Sequence, residues 1–136
     1  MDDKDRKLID MLKSDGRASY VALGHELGLS EAAVRRRIKA LMEKGIIERF
    51  TVEIREEEKA KALTLISVNP SATTSQVAEK LIKIQNVDKI YEITGEYDIV
   101  ALISASNIVE ANACIDDIRK SEGVTNTNTI IILKEI

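Results

Sequence analysis

The 136-residue sequence has one cysteine, one histidine, one proline and no tryptophan. A single cysteine excludes an intrachain disulfide, and one cysteine with one histidine excludes a Cys/His zinc cluster. No uncharged apolar run approaches the ~18 residues of a membrane-spanning helix, and the charged start of the chain is unlike a signal peptide. We therefore expect a cytoplasmic protein with no metal site and no membrane partner.

The motifs of common enzyme sites are missing as well. The sequence contains no G-x-x-x-x-G-K-[ST], G-x-G-x-x-G, H-E-x-x-H or G-x-S-x-G pattern. Its four aromatic side chains offer no stacking platform for single-stranded nucleic acid. Cys114 lies in a mostly apolar helical pattern, which favours a buried, inert thiol over a nucleophile. We expect no enzyme, no catalytic residue and no cofactor.

Charge is distributed unevenly along a chain that is 44% hydrophobic and 32% charged. Residues 1–50 hold 11 Lys and Arg against 9 Asp and Glu, a net +2, whereas residues 51–136 hold 9 against 14, a net −5. The densest basic run is Arg35-Arg36-Arg37-Ile38-Lys39. This pattern indicates two parts, the first with a local basic surface, although a merely solvated helix face is the alternative.

Apolar spacing predicts three short helices in the amino-terminal part. Asp2 or Asp3 can cap the first, and Ser19 and Ser30 can cap the second and third, because their side-chain oxygens accept the orphan N–H groups of a helix start. Gly28 falls where a left-handed residue would end the second helix. A helix, a tight glycine-containing turn and a second helix are typical of a helix-turn-helix.

The third helix has distinct faces. Its apolar stripe consists of Val34, Ile38, Leu41 and Met42. At about 100° per residue, two alanines, Arg36 and Lys39 face away from that stripe, while Arg35 and Arg37 flank it. Small and basic side chains on one face suit a helix in the major groove of DNA. The predicted DNA-binding residues are Ser19, Tyr20, Ser30, Ala32, Ala33, Arg35, Arg36, Arg37 and Lys39.

The hydrophobic period changes after the third helix. Phe50, Val52 and Ile54 alternate with polar residues, which predicts a half-buried strand, either a wing or a strand that pairs elsewhere. The charged segment 56–61 has no apolar periodicity and is predicted to be the linker. The predicted boundaries are a DNA-binding domain over 1–50, a strand and linker over 51–61, and a second domain over 62–136.

The second domain reads as strand, helix, strand, strand, helix, strand. The predicted strands cover 63–68, 87–94, 97–104 and 124–133. This order is that of a ferredoxin-like plait, so the fold class is α+β, a winged helix-turn-helix followed by a βαββαβ plait. Right-handed crossovers place both helices on one face of the sheet. Because residues 130–133 are apolar on both sides, we expect another subunit to cover them.

The sequence resembles the Lrp/AsnC (feast/famine) transcriptional regulators over essentially its whole length. The resemblance rests on LSEAAVRRRIKAL at 29–41, Gly-Ile-Ile at 45–47, Thr-Gly-Glu-Tyr-Asp at 94–98 and Gly-Val at 123–124. The linker departs from the family, which often has Pro and Gly where this chain has Arg-Glu-Glu-Glu-Lys-Ala at 55–60. A stiffer linker would change the interdomain geometry.

The resemblance implies a sequence-specific regulator that binds double-stranded DNA. It also implies a dimer formed through the plait sheets, further association to octamers, and a free amino acid bound between dimers. The effector-binding residues that it implies are Gly95, Tyr97, Asp98, Thr127 and Thr129.

Three alternatives remain open at this point. The first is a hairpin without a ligand, in which Asp98 bonds its own turn. The second is an architectural DNA-binding protein with no effector. The third is an enzyme that uses the plait as a scaffold.

Overall fold

The computed structural model describes residues 1–55 and 59–136, so Glu56, Glu57 and Glu58 of the predicted linker lie outside the described residues. The chain forms two compact units, Met1–Ile54 and Arg55–Ile136. Each has its own hydrophobic core.

The first unit contains three helices, α1 (Asp3–Ser14), α2 (Tyr20–Leu27) and α3 (Glu31–Glu43). Their caps are side-chain oxygens of Asp2, Ser19 and Ser30, each of which accepts the N–H three residues on. Gly28 ends α2 in the left-handed conformation at φ +67°. The helix-turn-helix is thus confirmed. Its core consists of Leu8, Leu23, Leu27, Val34, Ile38 and Leu41.

The residues of the predicted strand, Phe50, Val52 and Ile54, pair with no strand among the described residues of this chain. Residues 48–55 belong to no helix or strand, and these three side chains are 48%, 75% and 68% exposed. A strand needs a neighbour to receive its backbone hydrogen bonds, and the described residues of the first unit form no other strand. The alternation alone therefore does not produce a wing in this chain.

The second unit is a four-stranded antiparallel sheet with two helices. Its elements are β1 (Ala60–Val68), α4 (Thr74–Leu81), β2 (Val87–Glu92), β3 (Ile99–Ala105), α5 (Ile108–Lys120) and β4 (Val124–Ile131). The strand order is β2-β3-β1-β4, so the ferredoxin-like plait is confirmed. Strand β1 begins earlier than predicted, because Ala60 and Lys61 pair with Ala105 and Ser104 of β3. These two linker residues therefore belong to the sheet.

The sheet buries one face against α4 and α5. Ala62 and Ile66 of β1 and Ile99 of β3 pack in one cluster with α4 and α5 side chains. Cys114 of α5 lies in that cluster, 2% exposed, and burial raises the pKa of its thiol. Cys114 therefore stays protonated and unreactive at neutral pH, as its apolar surroundings in the sequence predict.

The opposite face of the sheet carries apolar side chains that neither α4 nor α5 covers. The intervening β-strand residues Leu63, Leu65, Val100 and Leu102 are half-buried, and Ile130 of β4 is 47% exposed. We call this surface the outer sheet face. No described helix is long and apolar enough to cross a membrane.

Candidate DNA-binding and effector-binding sites

Helix α3 presents the face that its sequence predicts. Ala32, Arg36 and Lys39 are exposed, whereas Val34 and Ile38 are buried in the core of the first unit. Ala33 is half-buried rather than free. The exposed face begins with small residues and continues into basic ones, the arrangement that suits close approach to a groove.

The basic side chains of α3 differ in how far other groups neutralise them. Arg35 is 3.0 Å from the Glu31 carboxylate and stacks over the Tyr20 ring at 5.3 Å. Lys39 lies 3.9 Å from Glu43. Within the described residues Arg36 has no ion-pair partner. Arg36 is therefore the most available cation on this helix.

Ser19 and Ser30 act as helix caps at the starts of α2 and α3. The Ser19 hydroxyl accepts from Ala22 N–H at 3.0 Å, and the Ser30 hydroxyl accepts from Ala33 N–H at 3.1 Å. Because a hydroxyl can also donate, each retains a proton for a phosphate oxygen. A helix N-terminus favours such an anion.

Arg37 has a different environment from the one that the sequence predicts. Its Nη1 donates to both carboxylate oxygens of Asp2, at 2.9 and 2.7 Å, and to Asp5 Oδ1 at 3.0 Å. The Arg37 side chain is 28% exposed and that of Asp5 16%. The hydrogen bond from Arg37 lowers the pKa of Asp2, and the same bond raises the pKa of Arg37. This cation faces α1.

The loop between β2 and β3 carries three of the predicted effector residues. Gly95 is exposed with φ +112°, and a Cβ there would meet nothing within 4 Å, so the backbone angle rather than crowding explains the glycine. Tyr97 is half-buried. Asp98 Oδ2 accepts from Val68 N–H at 2.7 Å, and Asp98 N–H donates to Ile66 O at 2.9 Å. The Asp98 side chain thus bonds strand β1, while the Asp98 carbonyl oxygen accepts from Ile93 N–H across the turn at 2.9 Å.

The two predicted threonines lie on β4, and each has a hydrogen-bond partner that the sequence analysis missed. Arg119 Nε of α5 donates to Thr127 Oγ1 at 3.3 Å. Thr129 Oγ1 is 3.1 Å from Thr64 Oγ1 of β1. Thr64 is fully buried. The sequence could have indicated Thr64, because it is a polar residue at a position of β1 that faces the core.

Strand β1 separates the two groups of predicted effector residues. Ile66 pairs with Ile99 of β3 on one side and with Thr127 of β4 on the other. The two groups therefore lie at the same end of β1, roughly 10 Å apart across two strand spacings. A separate cavity of about 360 Å³ lies beside α4, and none of the five predicted residues lines it. Its lining includes Asn69, Gln76, Lys80 and Glu122.

A helix-turn-helix with an exposed basic helix, followed by a separate plait, defines a two-domain DNA-binding protein. Residues 1–42 match the family model of the AsnC-type helix-turn-helix domain, and residues 61–136 match that of the Lrp/AsnC ligand binding domain.

Curated relatives extend over the same length. The chain is 40% identical to the HTH-type transcriptional regulator LysM of Sulfurisphaera tokodaii, with 98% of this chain and 96% of LysM covered. It is 37% identical to the regulator FL11 of Pyrococcus furiosus, over 98% of this chain and 90% of FL11. The chain therefore belongs to the Lrp/AsnC family of transcriptional regulators, which is not a family of enzymes.

Solved structures have the same fold. The leucine response regulatory protein LrpA of Mycobacterium tuberculosis matches with a TM-score of 0.87 and 28% identity, covering 99% of this chain and 94% of that one. The feast or famine regulatory protein of M. tuberculosis, solved in complex with L-methionine, matches with a TM-score of 0.88 and 29% identity, covering 98% and 92%.

Proposed function

We propose that this protein regulates transcription in the cytoplasm by binding specific sequences of double-stranded DNA through α3. The observation that carries this proposal is Arg36, an exposed cation without an ion-pair partner among the described residues. Arg36 can form hydrogen bonds with the edge of a guanine base. Arg35 and Lys39 reach phosphates. Ser19 and Ser30 also bond phosphates and so fix the position of the protein along the duplex.

We further propose a homodimer that associates into a larger assembly such as an octamer. The outer sheet face carries half-buried Leu65 and Leu102 beside the exposed Ile130. A second copy of the chain that packs on this contiguous apolar surface removes it from water, and this burial favours the dimer. A two-fold dimer would also place two helix-turn-helix units on half-sites about one helical turn apart, or a multiple of it.

We propose that a free amino acid bound to the plait modulates DNA binding or assembly. The M. tuberculosis relative solved with L-methionine supports this class of ligand. Asp98 supplies a carboxylate for the ligand ammonium, and Thr127 with Arg119 supplies donors for its carboxylate. These groups flank Ile66 of β1, so a ligand enclosed between subunits can contact both.

The first test replaces Arg36 by Ala. We expect affinity for a duplex selected by the wild-type protein from a randomised pool to fall by ~1–3 kcal/mol, because one bidentate base contact is lost. Affinity for a scrambled duplex should change little. Lys39→Ala is the matched control, and it should weaken binding to both duplexes equally and flatten the salt dependence. Equal loss on both duplexes for Arg36→Ala would instead assign Arg36 to a phosphate.

The second test replaces Asp98 by Asn, which keeps an oxygen for the Val68 N–H and removes only the charge. We expect amino-acid affinity to fall tenfold or more, since a hydrogen bond to a charged group contributes ~1.5–3 kcal/mol. Thermal-shift screening of the standard amino acids would find the ligand, and calorimetry would measure its affinity.

The matched control for Asp98 is Asp88→Asn, which neutralises an exposed carboxylate of β2 in the same unit. That variant should bind the amino acid like wild type. If no amino acid binds wild type at millimolar concentration, the effector proposal fails and an architectural DNA-binding protein takes its place. If an amino acid does bind and modulates DNA binding, it must change the affinity for DNA by the same factor by which DNA changes the affinity for the amino acid.

A further inference from the structure

Arg37 joins two helices that are distant in the sequence. One nitrogen of its guanidinium lies within hydrogen-bond distance of three carboxylate oxygens, two of Asp2 and one of Asp5, which stand 35 and 32 residues earlier in the chain. Asp2 and Asp5 also bond each other's backbone N–H in a capping box at the start of α1. The carboxylates that receive Arg37 are therefore themselves fixed by the helix end.

The charge balance around Arg37 opposes a phosphate contact. Two carboxylates lie within 3.0 Å of the one guanidinium. The positive charge of Arg37 is therefore already neutralised before any DNA approaches. Arg36, the preceding residue, projects about 100° away around the helix axis and is exposed. The buried Val34 and Ile38 set the face of α3 that enters the core, and the ion pairs of Arg37 add a second attachment on the side next to Arg36.

We propose that Arg37 is a positioning residue of the DNA-contacting helix, holding α3 to the amino end of α1 through Asp2 and Asp5. Its effect on DNA affinity passes through the orientation of Arg36 and not through a phosphate contact of its own. This inference rests on the proposed DNA-contacting face of α3.

The decisive experiment neutralises the carboxylates and leaves Arg37 in place. The double substitution Asp2→Asn with Asp5→Asn keeps both capping oxygens, because Asn caps as well as Asp. Binding of the full-length protein would be measured against salt, on a duplex of about 30 base pairs selected by wild type from a randomised pool and on its scrambled counterpart. Circular dichroism would first establish that the protein is folded at the assay temperature.

The two roles of Arg37 predict changes of opposite sign. A positioning role predicts that the double substitution lowers affinity for the selected duplex, about tenfold, with an unchanged salt slope, although it removes negative charge. Arg37→Gln should give the same loss, and combining all three substitutions should add nothing further. A phosphate contact predicts instead that freeing Arg37 raises affinity and that Arg37→Gln reduces the salt slope by about one.

Asp3→Asn is the matched control, since Asp3 lies in the same helical turn and its carboxylate pairs only with Arg6, at 3.5 Å, among the described residues. It should leave affinity equal to that of wild type or slightly higher. Arg37→Lys keeps one charged donor, so it should bind the selected duplex more tightly than Arg37→Gln. This comparison tests the proposal without the double substitution, in case that variant does not fold. Unchanged DNA binding by every folded Asp2, Asp5 and Arg37 variant would overturn the proposal. Failure of wild type to enrich any duplex would reject the DNA-binding function itself.

Discussion

Removal of the plait is expected to lower DNA affinity about 100- to 10,000-fold. The plait joins two DNA-binding units in the proposed dimer, so that once the first unit is bound, binding of the second is an intramolecular step. The fragment comprising residues 1–60 retains the whole core of the first unit. It should therefore fold and bind weakly as a monomer. Titration of the selected duplex with fragment and full chain, alongside sedimentation analysis of each, measures the difference.

A dimerising control separates lost linkage from lost folding. Fusing residues 1–60 to an unrelated two-stranded coiled coil restores two copies without the plait, and it should recover a substantial part of the affinity. Recovery depends on whether the new linker spans two half-sites. A monomeric fragment that binds as tightly as the full chain would contradict the dimer proposal.

The helix-turn-helix and the plait could be predicted because local signals determine them. Ser19 and Ser30 cap helices at the predicted positions, since capping depends on a side chain and a backbone only three residues apart. Short runs rich in apolar residues likewise identify β1 and β3. In the folded strands every second residue enters the core. The plait order then follows from short, right-handed connections.

The remaining differences come from contacts between residues distant in the sequence. Periodicity places Arg37 beside the apolar stripe but gives no sign that Asp2 and Asp5 receive it. The bond from Val68 to Asp98 depends on the pairing of β1 with β3. For Val52 and its neighbours, alternation indicates an extended segment but not whether a partner strand exists.

Gly24→Ala is expected to disrupt the first unit, because α2 and the turn to α3 leave no space for a side chain at this position. A Cβ on Gly24 would lie 2.3 Å from the Leu29 carbonyl oxygen. That oxygen belongs to the backbone, and Leu29 N–H donates to Gly24 O at 2.8 Å, so neither group can move without opening the turn. Alanine gains ~1 kcal/mol in helix propensity. Overpacking costs ~1–3 kcal/mol or more and exceeds that gain.

The expected net loss of up to about 2 kcal/mol is a large fraction of the stability of so small a unit. The fraction of molecules with an intact helix-turn-helix falls, and DNA affinity falls with it, while the plait still unfolds as in wild type. Circular dichroism melting and DNA titration of the same sample measure both effects. Gly16→Ala is the matched control, since its Cβ would meet only Leu12 O, at an ordinary 3.7 Å. If Gly24→Ala melts and binds DNA like Gly16→Ala, the close approach of α2 to Leu29 is not required for the fold.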